Sequence, residues 1–212
     1  MQTDWQSEVR KFRDWAEPQI QIAEWECNYE HWDAIYTSVE EFLKTDSSLW
    51  SEQETEDLLY ILARDWEFGT ISESLKEHSS ETAIYISEKS LDKSDFDARW
   101  QLADVLGYFP SDTRTEPLVR RFVDDEEEYV RRRALQSLVR LGAIGTEQLA
   151  LREWNTEDDN QQWARMNALQ IWRHINSSLL ESHLLEAEAS ADKFPYLADF
   201  AHRLRKGEID FA

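Results

Sequence analysis

Arg121, Arg152 and His183 follow one another at intervals of 31 residues. Guanidinium and imidazolium groups form charge-assisted hydrogen bonds with carboxylates and phosphates, so a row of them at a fixed interval predicts a surface for an anionic group of a partner. The plainer alternative is neutralisation by Glu153, Glu181 and Glu186, in pairs that contribute little individually. A second constellation has the opposite sign. Glu26, Glu30, Asp33 and Glu40 are spaced by 4, 3 and 7, which places them on one face of a helix. That face predicts a dock for a basic partner; a merely solvated face is the alternative.

Nothing in the chain points to catalysis. It has no Gly-x-Ser-x-Gly elbow, no phosphate-cradling glycine loop and no paired cysteines for zinc. No two of His31, His78, His174, His183 and His202 stand three or four residues apart, the spacing that would put two ligands on one helix face. Cys27 has no basic neighbour in sequence to stabilise a thiolate and is expected to be half-buried and inert. No catalytic residue, cofactor or metal is predicted, and the chain leans away from being an enzyme.

The elements that would position these residues are helices. Three segments nearly repeat: Ala98-Arg99-Trp100-Gln101-Leu102-Ala103, Val130-Arg131-Arg132-Arg133-Ala134-Leu135 and Ala164-Arg165-Met166-Asn167-Ala168-Leu169. Their spacings of 32 and 34 residues are those of a stacked helical array. Each opens a helix with apolar residues at helical period, such as Leu102, Val105, Leu106 and Phe109. Thr115, Thr146 and Ser177, again 31 apart, are expected to N-cap the second helix of each pair. Upstream, Ile22, Trp25, Tyr29, Trp32, Tyr36, Val39 and Leu43 step 3-4-3-4-3-4, predicting one long helix with an aromatic stripe. That stripe would cap the array, with a ligand groove or dimer seam as alternatives.

Composition agrees. Only 5 Gly and 4 Pro occur in 212 residues, which argues against a many-stranded β fold. No run is long and apolar enough to span a bilayer, no secretory signal opens the chain, and a single cysteine suits a reducing compartment. A cytoplasmic, non-membrane protein is expected, monomeric or homodimeric. The formal charge is −21, and residues 1–98 hold 24 Asp and Glu against 8 Lys and Arg. Such a field repels phosphate backbones and attracts basic partners. Solubility alone, or a halophilic origin, would also account for it.

The repeated helices, hydroxyl openers and acidic turns resemble HEAT-repeat α-solenoids, in particular the short repeats of bilin-lyase-like proteins. The resemblance implies an all-α, right-handed α-α superhelix of antiparallel helix pairs. It would divide into an aromatic-rich cap (1–50), divergent helices (51–94), three repeats (95–193) and a closing half-repeat with a tail (194–212). It also implies a ladder between repeats, with Asp124 or Asp125 beside Arg131, Asp158 or Asp159 beside Arg165, and Asp95 or Asp97 beside Arg99. The function expected on this reading is non-catalytic recognition of a basic protein, as by an immunity-type or inhibitor protein, with nucleic acid disfavoured. HEAT-like DNA glycosylases and chaperone-like lyases for pigment proteins stand as alternatives.

Overall fold

The structure is a computed structural model that describes residues 5–19, 25–92, 95–157 and 159–209. Among them every regular element is helical, and none is long and apolar enough to cross a membrane. The chain forms two compact units, Met1–Ser137 and Leu138–Ala212, whose boundary falls inside one helix.

The first unit contains α1 (Trp5–Ala16), α2 (Trp25–Asn28), α3 (Trp32–Leu43), a 3-10 turn at Ser47–Leu49, α4 (Glu52–Leu62), α5 (Thr70–Glu77), α6 (Ser80–Ser90), α7 (Phe96–Leu106) and α8 (Thr115–Phe122). It also holds most of α9 (Glu128–Arg140). Short polar residues set the starts of several helices. Ser51 and Glu54 close a reciprocal capping box on α4, and Asp95 accepts the Asp97 N–H at the start of α7.

The core of this unit is aromatic. Phe12 is fully buried and meets the rings of Trp15, Trp25, Tyr29, Trp32 and Tyr60 at 5.0 to 6.1 Å between centroids. Trp5, Phe42 and Trp50 stack in series at 4.2 and 4.4 Å. Such offset or tilted pairs add to the stabilisation from burial itself. The aromatic stripe therefore lies inside, but not on one helix. The chain turns at Tyr29–His31, separating α2 from α3, and the Trp32 indole N–H donates to the Trp25 carbonyl at 3.1 Å. Bringing both tryptophans against Phe12 overrides the heptad spacing; Ile22 lies outside the described residues. Two buried side chains tie neighbouring helices to each other's carbonyls. Gln101 donates to Leu62 at 2.6 Å, and Ser137 to Ala103 at 2.7 Å.

The second unit completes α9 and adds α10 (Thr146–Asn155), α11 (Gln161–His174), α12 (Leu180–Ala189) and α13 (Pro195–Arg205). Its regularity lies in the backbone. Helices α9, α11 and α13 each end in the same pair of bonds. The N–H groups of Ala143 and Gly142 reach Leu138 and Val139, those of Ser177 and Asn176 reach Trp172 and Arg173, and those of Glu208 and Gly207 reach Arg203 and Leu204. The residue in the left-handed region is Gly142, Asn176 or Gly207, with φ of 68°, 54° and 73°. Glycine and asparagine are the residues that tolerate this conformation at a helix end.

The hydroxyl openers do not all cap as their spacing predicts. Thr115 and Thr146 are already the first helical residues of α8 and α10. Thr115 Oγ1 donates backward to the carbonyls of Asp112 and Phe109, closing the preceding loop. Ser177 alone of the three accepts a forward N–H, that of Leu179, at 3.0 Å.

Candidate functional site

The repeat arginines make contacts within the chain, and Arg99 takes its acid from another turn than the resemblance implies. Arg99 makes a two-pronged pair with Asp125, at 2.8 and 3.1 Å, with both side chains nearly buried. Its acid thus comes from the turn after its own helix pair, whereas Asp95 caps α7 and pairs with Arg64 at 3.7 Å. Arg131 grips the same turn through backbone, donating to the Asp125 and Glu126 carbonyls at 3.1 and 2.9 Å. Asp124 is exposed, and Asp158 lies outside the described residues. Arg165 donates to the Trp154 carbonyl at 3.0 Å, its guanidinium 4.9 Å from the Trp154 ring and 3.9 Å from the Glu186 carboxylate.

Of the basic row, Arg121 belongs to the first unit and Arg152 and His183 to the second. Arg121 is exposed, on the last turn of α8. Arg152 is exposed and lies 3.4 Å from the buried Glu153 carboxylate. His183 is packed differently. Its ring lies 4.8 Å from Trp154 and 4.4 Å from Trp172, with Nδ1 2.7 Å from the Leu179 carbonyl. The ring is a wedge in the aromatic packing of the second unit.

The acidic constellation also divides. Asp33 and Glu40 are exposed on α3, and Glu30 is exposed in the turn before it. Glu26 is only 6% exposed, and its carboxylate accepts the Glu67 N–H at 2.7 Å. The break before α3 removes the single face that the 4-3-7 spacing requires. Cys27, expected to be half-buried, is exposed, its Sγ 3.8 Å from the Glu67 carboxylate.

Beside Glu26 lies Asp65, fully buried in the loop after α4. One oxygen accepts the Tyr36 hydroxyl at 2.8 Å and the other the Ile71 N–H at 2.6 Å. Burial pushes its carboxyl up to about 6, although both hydrogen bonds pull the other way. Glu26 is raised as well, again chiefly by burial. Tyr36, half-buried and facing Asp65, is held un-ionised well above the usual phenol range.

Sequence reasoning missed the concave feature of the first unit. A groove of about 960 Å³ runs between α1, α4 and α6. At one end two guanidiniums lie over the Tyr60 ring, Arg13 at 3.8 Å and Arg64 at 3.9 Å from its centroid. Both cations are engaged: Arg13 pairs with the buried Asp57 at 2.7 Å, and Arg64 also donates to the Tyr60 carbonyl at 3.0 Å. At the other end are Trp50, Leu59 and Tyr85, rimmed by Glu52, Glu56 and Glu88. The groove residues recur at no fixed interval, and Arg13 and Arg64 are 51 positions apart, so no periodic signal could have joined them.

Among the described residues no group of three or more His, Cys, Asp or Glu is placed to hold a metal. The comparison with known families bears on the array. Residues 87–171, from late α6 to late α11, match the family model for HEAT repeats. This stretch is similar to HEAT repeats. No curated protein matches the chain. The HEAT match spans the segments that carry Arg99, Arg131 and Arg165. It stops short of the N-terminal helices that build most of the groove.

Proposed function

We propose that the protein is a non-catalytic binding module that recognises a basic protein partner, in the manner of an inhibitor or immunity-type protein. HEAT repeats generally mediate protein interaction. The observation that carries the finer reading is charge. Residues 1–137 hold 32 Asp and Glu against 15 Lys and Arg, and residues 138–212 hold 12 against 8. A field of that sign on one unit accelerates the approach of cationic proteins and disfavours nucleic acid. Glu30, Asp33 and Glu40 contribute to it as exposed carboxylates on and beside α3. Arg121 and Arg152 remain candidates for the partner's carboxylates, while His183 acts there through packing.

The test is capture of partners from a native lysate, followed by association kinetics of the captured protein at low and high ionic strength. Basic partners whose on-rate falls steeply with salt support the reading. An on-rate insensitive to salt, or tight binding of duplex DNA at physiological salt in a gel shift, overturns it.

A further inference from the structure

We propose that the groove between α1, α4 and α6 is the seat of a lysine- or arginine-bearing segment of the partner, with Glu56 and Glu88 holding its cation. This rests on the reading of the protein as a binder of a basic partner and assigns that reading a place.

The argument starts from which charges in the groove are already committed. Arg13 is bound to Asp57 and Tyr60, and Arg64 is stacked on Tyr60 with Asp95 nearby. Glu56, Glu88 and Asp92 line the same groove, are exposed, and make no ion pair among the described residues. Lys89 is the remaining cation of the lining, and it leans over the Tyr85 ring at 5.5 Å. The uncommitted charge is therefore negative. Carboxylates gathered from two helices into one concavity repel each other there, and an entering cation relieves that repulsion as it binds.

The walls suit the rest of such a side chain. The half-buried Tyr85 ring offers apolar surface to a methylene stem, with the edges of the buried Leu59 and Trp50 behind it. Tyr85 is fixed in place: Trp50 meets it edge-on at 5.7 Å, and its hydroxyl lies 3.4 Å from Thr55 Oγ1. The Lys89 contact already shows this ring accepting a cation from the protein itself. A volume of about 960 Å³ exceeds one side chain and accommodates several residues of an extended segment.

The experiment uses the full chain and a fluorescein-labelled, end-capped peptide of alternating lysine, arginine and alanine, read by anisotropy at physiological salt. A glutamate counterpart of the peptide serves as control. Two double variants remove equal charge: E56Q/E88Q in the groove and D33N/E40Q on α3. All four positions are exposed, so both variants should melt like the wild type. The expected result is about tenfold weaker binding for E56Q/E88Q, the scale of lost charge-assisted contacts, and less than about twofold for D33N/E40Q. Equal weakening of the two would overturn the groove and leave an acidic unit that attracts diffusely. Failure of the wild type to bind the basic peptide, or equal binding of the acidic one, would overturn the basic-partner reading as well.

Discussion

In the first unit a loop is held by a buried carboxylate, Asp65, which joins α3 to the start of α5 through Tyr36 and Ile71. In the second unit the equivalent work is done by main-chain bonds, repeated with the same geometry after α9, α11 and α13. The first unit also relies on single-use side-chain ties, Gln101 to Leu62 and Arg13 to Asp57, where the second packs Trp154 and Trp172 around His183. The contrast shows that a helical array can be kept in register by two kinds of bond. Side-chain bonds respond to mutation and pH; backbone turns respond mainly to the residue in the left-handed position.

The repeat arginines give the largest expected difference between the units. Arg99→Ala removes the guanidinium from the nearly buried Asp125, leaving it the Glu127 N–H, and should cost about 3 kcal/mol. Arg165→Ala loses one hydrogen bond to a carbonyl, a loose contact with an exposed carboxylate and a ring contact, and should cost about 1–2 kcal/mol. Urea denaturation of both variants checks the order, and equal losses would erase the distinction between the two arginines.

The buried carboxylate gives the next effect. Because the folded state holds the Asp65 proton up to about pH 6, above the ordinary carboxylate range, its contribution favours folding below the unfolded value near 4. That contribution is lost as pH rises through 6, and its full span is up to about 3 kcal/mol. Asp65→Asn keeps an acceptor for the Ile71 N–H and cannot titrate. The stability difference between variant and wild type should therefore shift in the variant's favour from pH 4 to 7, as measured by denaturant midpoints. A constant difference would mean that Asp65 ionises normally.

The smallest effects belong to the turns. Gly142→Ala meets no neighbouring atom, so its cost is the strain of a left-handed alanine, about 1 kcal/mol. Asn176→Gly relieves the same strain at the matching position, and its entropy cost keeps the net change within about 0.5 kcal/mol. Thermal melts of the pair test whether backbone conformation governs these helix ends.

Legibility in the sequence follows the same division. The helix pairs were readable because Arg99, Arg131 and Arg165 recur with the helix starts, and the periodic apolar residues beside them are buried. Partners were not readable. Nothing in the order of residues shows that Arg99 reaches forward to Asp125, since both neighbouring turns carry acids. The aromatic stripe is visible in the sequence, but its period suggests one helix where packing against Phe12 requires two. The groove was invisible because Arg13, Tyr60 and Glu88 share no spacing. Only the folded chain unites them.

The three matched helix ends carry an evolutionary consequence. Their direction-setting bonds run between backbone atoms, and the one residue type they constrain is the glycine or asparagine at the left-handed position. Outside Arg131, Ser137 and Arg165, the polar side chains of α9, α11 and α13 can vary as long as the apolar period survives. Such an array can lose nearly all recognisable resemblance to its ancestors and still leave each helix along the same path.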